Sequence, residues 1–215
     1  MKNILCYGDS NTYGYIPVFP SKSSRFDRQK RWTGILSNEL GAGYCVIEEG
    51  LNARTTVWND PVEGYYEGRD KNGKEYLMPC LDSHAPVDLV VLMLGTNDLK
   101  NRFAVSAQDI ADSIFSLIGI IKNSKSGPGE LSPAILIICP APLGRLSEFE
   151  DLFIGGMEKS KNLSVFYKKI AKDAGVEFLN AGDIIKSSDI DGIHFEEKEH
   201  EKLGKAVAEK IKKIF

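Results

Sequence analysis

The chain has 215 residues, 42% of them hydrophobic and 27% charged, with a formal net charge of −3. That length fits one domain able to bury a full core without disulfides. The mild negative charge, with no basic stripe, argues against nucleic acid and against an anionic membrane surface as partners, since both recognise clustered Lys and Arg.

The first apolar run, Ile4–Tyr7, stops abruptly at Gly8-Asp9-Ser10-Asn11. No secretory leader pattern is expected from so short a run. A small hydroxyl at the mouth of a strand has two readings. Ser, Asp and Asn there cap a following helix by accepting orphan backbone N–H bonds. Alternatively, Ser10 is a nucleophile held where substrate can reach it. Further on, Arg31–Leu40 carries Trp32, Ile35, Leu36 and Leu40 on one helical face. The strand Tyr44–Ile47 leads into Glu49-Gly50-Leu51-Asn52-Ala53-Arg54-Thr55-Thr56 and a long connection, Asn52–Val87, rich in aromatics at Trp58, Tyr65, Tyr66 and Tyr76. Such a cluster suits sugar stacking, an acyl pocket or a subunit interface. Leu89–Leu94 follows and ends on Gly95-Thr96-Asn97-Asp98. Ser106–Lys122 places Ile110, Ile114, Leu117, Ile118 and Ile121 at helical spacing, with Ser106 and Asp109 as its cap. Ser124–Gly129 reads as a plain flexible turn. The strand Ile135–Cys139 precedes a second long connection, Ala141–Met157, whose Phe149–Phe153 stretch offers apolar walls. Lys159–Ala174 reads as a helix, Glu177–Leu179 as a strand, and Glu196–Ile214 as a final helix introduced by Asp191-Gly192-Ile193-His194.

Short, nearly uniform apolar strands alternating with helices predict a parallel sheet covered on both faces. Five of them fit an α/β fold, a flavodoxin-like three-layer α/β/α sandwich, in which ligands gather beyond the carboxyl ends of the strands. Polar turns follow several of those ends. Cys6, Cys45, Cys80 and Cys139 are spread without C-x-x-C pairing, so they read as small hydrophobes rather than bridges or metal ligands, and a reducing cytoplasmic setting is expected. No stretch approaches the roughly 20 apolar residues of a membrane span.

At three residues' spacing on a turn, Asp191 can accept the Nδ1 proton of His194 and leave Nε2 free to take the Ser10 hydroxyl proton. The ordinary reading of D-x-x-H is a helix cap, and that of G-T-N-D is a turn with Asn97 as an Asx residue. Acyl transfer would also need oxyanion donors. The Ser10 N–H, an N–H from the Gly50–Ala53 turn and the Asn97 amide are candidates. The elbow G-x-S-x-G is missing, because Thr12 stands at its second glycine, and no G-x-G-x-x-G follows the first strand. A metal-dependent phosphoesterase would need more ligands than His84 in a loop and His200 on an exposed helix face provide. A binding module that kept the fold and lost the chemistry is the non-enzyme alternative.

Gly8-Asp9-Ser10, the glycine-containing turn after the second strand, Gly95-x-Asn97-Asp98 and Asp191-x-x-His194 together resemble the four blocks of the SGNH (GDSL) hydrolases. EEGLNARTT, SHAPVDLVVLMLGTNDLK and DGIHF are most similar to its arylesterase/acyltransferase branch. The resemblance spans nearly the whole chain. It implies Ser10 as nucleophile, His194 as base and Asp191 as its orienter. It also implies an oxyanion hole of Ser10 N–H, Ala53 N–H and the Asn97 amide, although many members carry glycine where this chain has Ala53. Asn11, Tyr15, Thr96, Leu152, Phe153 and Ile193 are expected to bind substrate. The implied activity is hydrolysis, with possible transfer, of short acyl groups on small alcohols or carbohydrates. No metal or organic cofactor is implied, and the partners are a small ester and further copies of the chain in a ring-like homo-oligomer such as an octamer.

Overall fold

A computed structural model describes residues 1–22, 24–63 and 70–215. Five strands, β1 (Lys2–Gly8), β2 (Tyr44–Gly50), β3 (Leu89–Met93), β4 (Ala134–Cys139) and β5 (Glu177–Asn180), form one sheet in the order β2-β1-β3-β4-β5. All four pairings are parallel. This is the expected flavodoxin-like order, with crossovers on both faces.

Alternation along each strand divides the core in two. Leu5, Tyr7, Val90, Leu92, Ile135 and Ile137 face one cluster. Ile4, Cys6, Leu89, Val91, Leu136 and Ile138 face the other. The α-helices named among the described residues are α1 (Ser10–Tyr13), α2 (Trp32–Leu40), α3 (Gly73–His84), α4 (Ala107–Asn123), α5 (Gly156–Ala174) and α6 (Glu197–Ile214). The first cluster is covered by α3, α4 and α5, the second by α2 and α6. The Ser106–Asp109 capping box forms as anticipated and starts α4.

Four expectations need correction. The Asn52–Val87 connection contains α3, masked in the sequence by Pro79 within it and by its weakly apolar composition. Pro removes an interior donor, so such a segment reads as non-helical. His84 accordingly ends a helix rather than lying in a loop. His200 is fully buried rather than exposed: its Nδ1 accepts the Trp32 N–H where α6 packs on α2. Ser124–Gly129 is no free turn either, because Ser126 is buried and its carbonyl accepts Val87 N–H at 2.7 Å. Tyr65 and Tyr66 lie outside the described residues.

Candidate active site

The carboxyl ends of β1, β2 and β3 finish flush, Gly8 pairing with both Gly50 and Met93. The turns that follow therefore open on one rim. Asp9, not Ser10, is the cap of α1, its Oδ1 accepting the Asn11 N–H at 2.9 Å. Ser10 is the first helical residue. A side chain at Gly50 would stand 2.1 Å from the Tyr13 nitrogen, so only glycine lets the serine turn lie against the end of β2.

Ser10 Oγ lies 3.0 Å from His194 Nε2, across 184 residues of chain. His194 Nδ1 lies 2.7 Å from Asp191 Oδ2. The other Asp191 oxygen accepts the N–H groups of Ile193 and His194, each at 2.9 Å. Asp191 thus orients the imidazole with one oxygen and closes its own turn with the other, while the helix cap expected of it is absent: α6 starts later, at Glu197, after Glu196. Gly192, at φ +75°, makes the turn that brings those donors round. Burial works to raise the Asp191 carboxyl. The hydrogen bond and charge of His194, with the two backbone donors, outweigh it and hold the carboxyl below its usual value. The Tyr15 ring lies over the imidazole, centroids 4.4 Å apart.

Asn97 opens a 3-10 turn, and its Nδ2 donates to the Arg54 carbonyl at 3.1 Å. Ala53 sits in the left-handed region at φ +64°, which for a residue with a Cβ costs about 1 kcal/mol. Arg54, unforeseen from the sequence, supports this arm. It is buried, its Nη1 donates to the carbonyls of Gly8 and Glu49, and its guanidinium stacks 4.1 Å over the Tyr7 ring. Asp98 accepts the backbone N–H and the hydroxyl of Thr56, tying the third turn to the second. Burial pushes the carboxyls of both Asp9 and Asp98 up to about 6.

Beside Ser10 and His194 lies a cavity of about 180 Å³. Tyr15, Ala53, Asn97, Leu152, Phe153 and Ile193 line it, as does Phe149. Asn11 and Thr96 are not among its lining residues. The Asn11 amide donates to the Ile193 carbonyl at 3.3 Å and joins the serine turn to the histidine turn. Thr96 is buried against Asp9, at the opening of the 3-10 turn. Asn52, Glu63 and Lys100 are walls that the sequence did not suggest. Lys100 is buried and pairs with Glu63 and with Asp60, the latter at 3.5 Å. Its acidic partners sit in the long connection, far upstream, so no local pattern marks it. Neither His84 nor His200 reaches the cavity walls.

The chain is similar to known proteins over its whole length. The solved structure of Est24, a carbohydrate acetylesterase from Sinorhizobium meliloti, is 42% identical to the chain, with a TM-score of 0.94 and both chains covered in full. The native aryl esterase of M. smegmatis is 40% identical at a TM-score of 0.94, again over all of both chains. A further carbohydrate acetylesterase family member from Sinorhizobium meliloti is 33% identical at a TM-score of 0.91, over 100% of this chain and 99% of that one. No curated protein matches. A family model for GDSL-like lipases and acylhydrolases matches residues 6–202, and with the serine of its Gly-Asp-Ser turn standing beside a late histidine, the chain belongs to that family.

Proposed function

We propose that the chain is a serine esterase in which Ser10 attacks the carbonyl of a small ester. The observation that carries this reading is the unbroken contact chain Ser10–His194–Asp191, at 3.0 and 2.7 Å. With Nδ1–H donated to Asp191, the imidazole presents a bare Nε2 to the hydroxyl. His194 takes the Ser10 proton during attack and returns it to the leaving alkoxide. The oxyanion is held by the N–H groups of Ser10 and Ala53 and by the Asn97 amide. Water, or a second alcohol, then resolves the acyl-enzyme.

A cavity of about 180 Å³ beside Ser10 supports a short acyl group. The likeness to two carbohydrate acetylesterases favours acetylated sugars as one substrate class, and that to an aryl esterase favours activated aryl esters as another. The chain forms a single domain over 1–215. Exposed Phe19, Phe115, Leu131 and Val165 support self-association into a homo-oligomer. Free thiols at Cys6, Cys45, Cys80 and Cys139 support a reducing cytoplasmic setting. Among the described residues no helix is long and apolar enough to cross a membrane.

Hydrolysis of p-nitrophenyl acetate tests the reading. Ser10→Ala should lower kcat by several orders of magnitude while leaving the fold intact. Chelator should leave the wild-type rate unchanged. A near-wild-type rate in Ser10→Ala would end the serine mechanism, and loss of activity in chelator would favour a metal-dependent one.

A further inference from the structure

Away from the cavity, on the α3 side of β2, three side chains of different chemistry converge. Glu49 is near the end of β2, while Cys80 and His84 are one helical turn apart on α3. That spacing puts the thiol and the imidazole on one helix face. A carboxylate oxygen of Glu49, Cys80 Sγ and a ring nitrogen of His84 all lie within 4.8 Å of one another. His84 Nε2 already stands 2.9 Å from Glu49 Oε1. Cys80 is fully buried, whereas the His84 and Glu49 side chains keep 30% and 20% exposure. The thiol thus forms the floor, and the other two groups border an opening to solvent.

We propose that Glu49, Cys80 and His84 form a binding site for a thiophilic divalent cation of the zinc class, separate from the esterase centre. One sulfur, one nitrogen and one oxygen ligand match the donor set such a cation accepts, with water to complete the shell. Tetrahedral zinc, with bonds of about 2.0–2.3 Å, holds its ligand atoms about 3.6 Å apart. Closing the site therefore needs a shift of about 1 Å in its widest pair and opening of the hydrogen bonds that Glu49 makes with His84 and Tyr76. Both can come from rotation of the two half-buried side chains, with Cys80 held still by the core.

Charge sets how the site would load. Glu49 and a Cys80 thiolate together carry two negative charges, matching the dication. The groups facing Cys80 are Tyr7 of β1, Glu49 of β2, Arg54 of the turn after it, and Tyr76 and His84 of α3. Burial and Glu49 push the thiol up to about 12, against a smaller opposite pull from Arg54. The cation must displace that proton, so uptake should release about one proton per ion from Cys80 and tighten as pH rises. The structure buries Cys80 in the core as its sequence reading expects, and its two companions, from a distant strand and from a helix hidden by Pro79, leave no local pattern.

Titration of the full chain with Co2+ gives the test, since cobalt stands in for zinc and reports on thiolate ligation by absorption. One equivalent should produce a thiolate-to-cobalt charge-transfer band, bleached by added Zn2+. Cys80→Ser should abolish the band, and His84→Gln and Glu49→Gln should each weaken Co2+ binding at least tenfold. Cys45→Ser should leave the band intact. Zn2+ should raise the melting temperature of wild type but not of His84→Gln. Retained p-nitrophenyl acetate hydrolysis would show each variant folded, and His84, at the exposed end of its helix, provides a readout should Cys80→Ser fail to fold. Absence of the band, its survival in Cys80→Ser, or unchanged affinity in His84→Gln would overturn the site.

Discussion

Ala53 and Asn97 carry the strongest demands on single residues. An alanine at φ +64° is strained, and glycine there would relieve about 1 kcal/mol while keeping the N–H. Greater freedom in the unfolded chain returns part of that gain. Ala53→Gly should therefore retain hydrolytic activity and shift the unfolding midpoint in denaturant by no more than the equivalent of about 1 kcal/mol. Loss of most activity would mean that the methyl group, not the amide, matters. Asn97→Ala removes a side-chain donor, and kcat should fall on the order of 10²- to 10³-fold with a smaller change in KM. An unchanged kcat would remove Asn97 from the oxyanion hole. The place of both residues beside Ser10 was legible in the sequence because they sit inside short local blocks. Arg54 and Lys100 were not, since their roles depend on carbonyls and carboxylates supplied by other elements. Asn11, beside Ser10 in sequence, turns its amide nitrogen to the Ile193 carbonyl, a partner that no local pattern marks.

At the level of elements, the packing of α6 on α2 places a titratable group in the core. His200 is sealed between Phe26 and Phe195, with Nδ1 accepting the Trp32 N–H. Burial lowers its imidazole to about 3. A base whose folded value lies below its unfolded one stabilises the fold at higher pH, and that contribution is lost as pH falls from about 6.5 toward 3. Asp9 and Asp98 act in the opposite sense. Raised to about 6, they favour the folded state below the usual carboxylate value and weaken it as pH rises through 6. Replacing His200 by Leu should therefore reduce the drop in melting temperature between about pH 7 and about pH 4.5 relative to wild type. An equal or larger drop would show that His200 does not govern acid sensitivity. Helices with strong apolar periodicity, such as α4, were readable in advance, whereas α3 with Pro79 was not. His200 was misplaced because α6 buries a wide face, with Glu199, His200, Gly204 and Ala208 beside Leu203, Val207 and Ile211.

Across the whole molecule, the parallel sheet performs the gathering. Its order and flush carboxyl ends carry a residue from the start of the chain and one from near its end to the same rim. Strand-length apolar runs made that architecture legible. The cavity's size was not, because its walls come from the Leu152–Phe153 segment, the Asn52–Ala53 turn and the long connection together. A volume of about 180 Å³ should favour acetyl over long acyl chains. Across a p-nitrophenyl ester series, kcat/KM should peak at two to four acyl carbons, by rough volume, and fall beyond. A rising trend toward long chains would contradict a small acyl pocket. The most direct measurement is intact-mass and peptide mass spectrometry of enzyme quenched during turnover of p-nitrophenyl acetate. An added acetyl group confined to the peptide bearing Ser10, and absent from Ser10→Ala, is the expected result. Active enzyme with the acetyl group on another residue, or turnover unaffected in Ser10→Ala, would contradict the account.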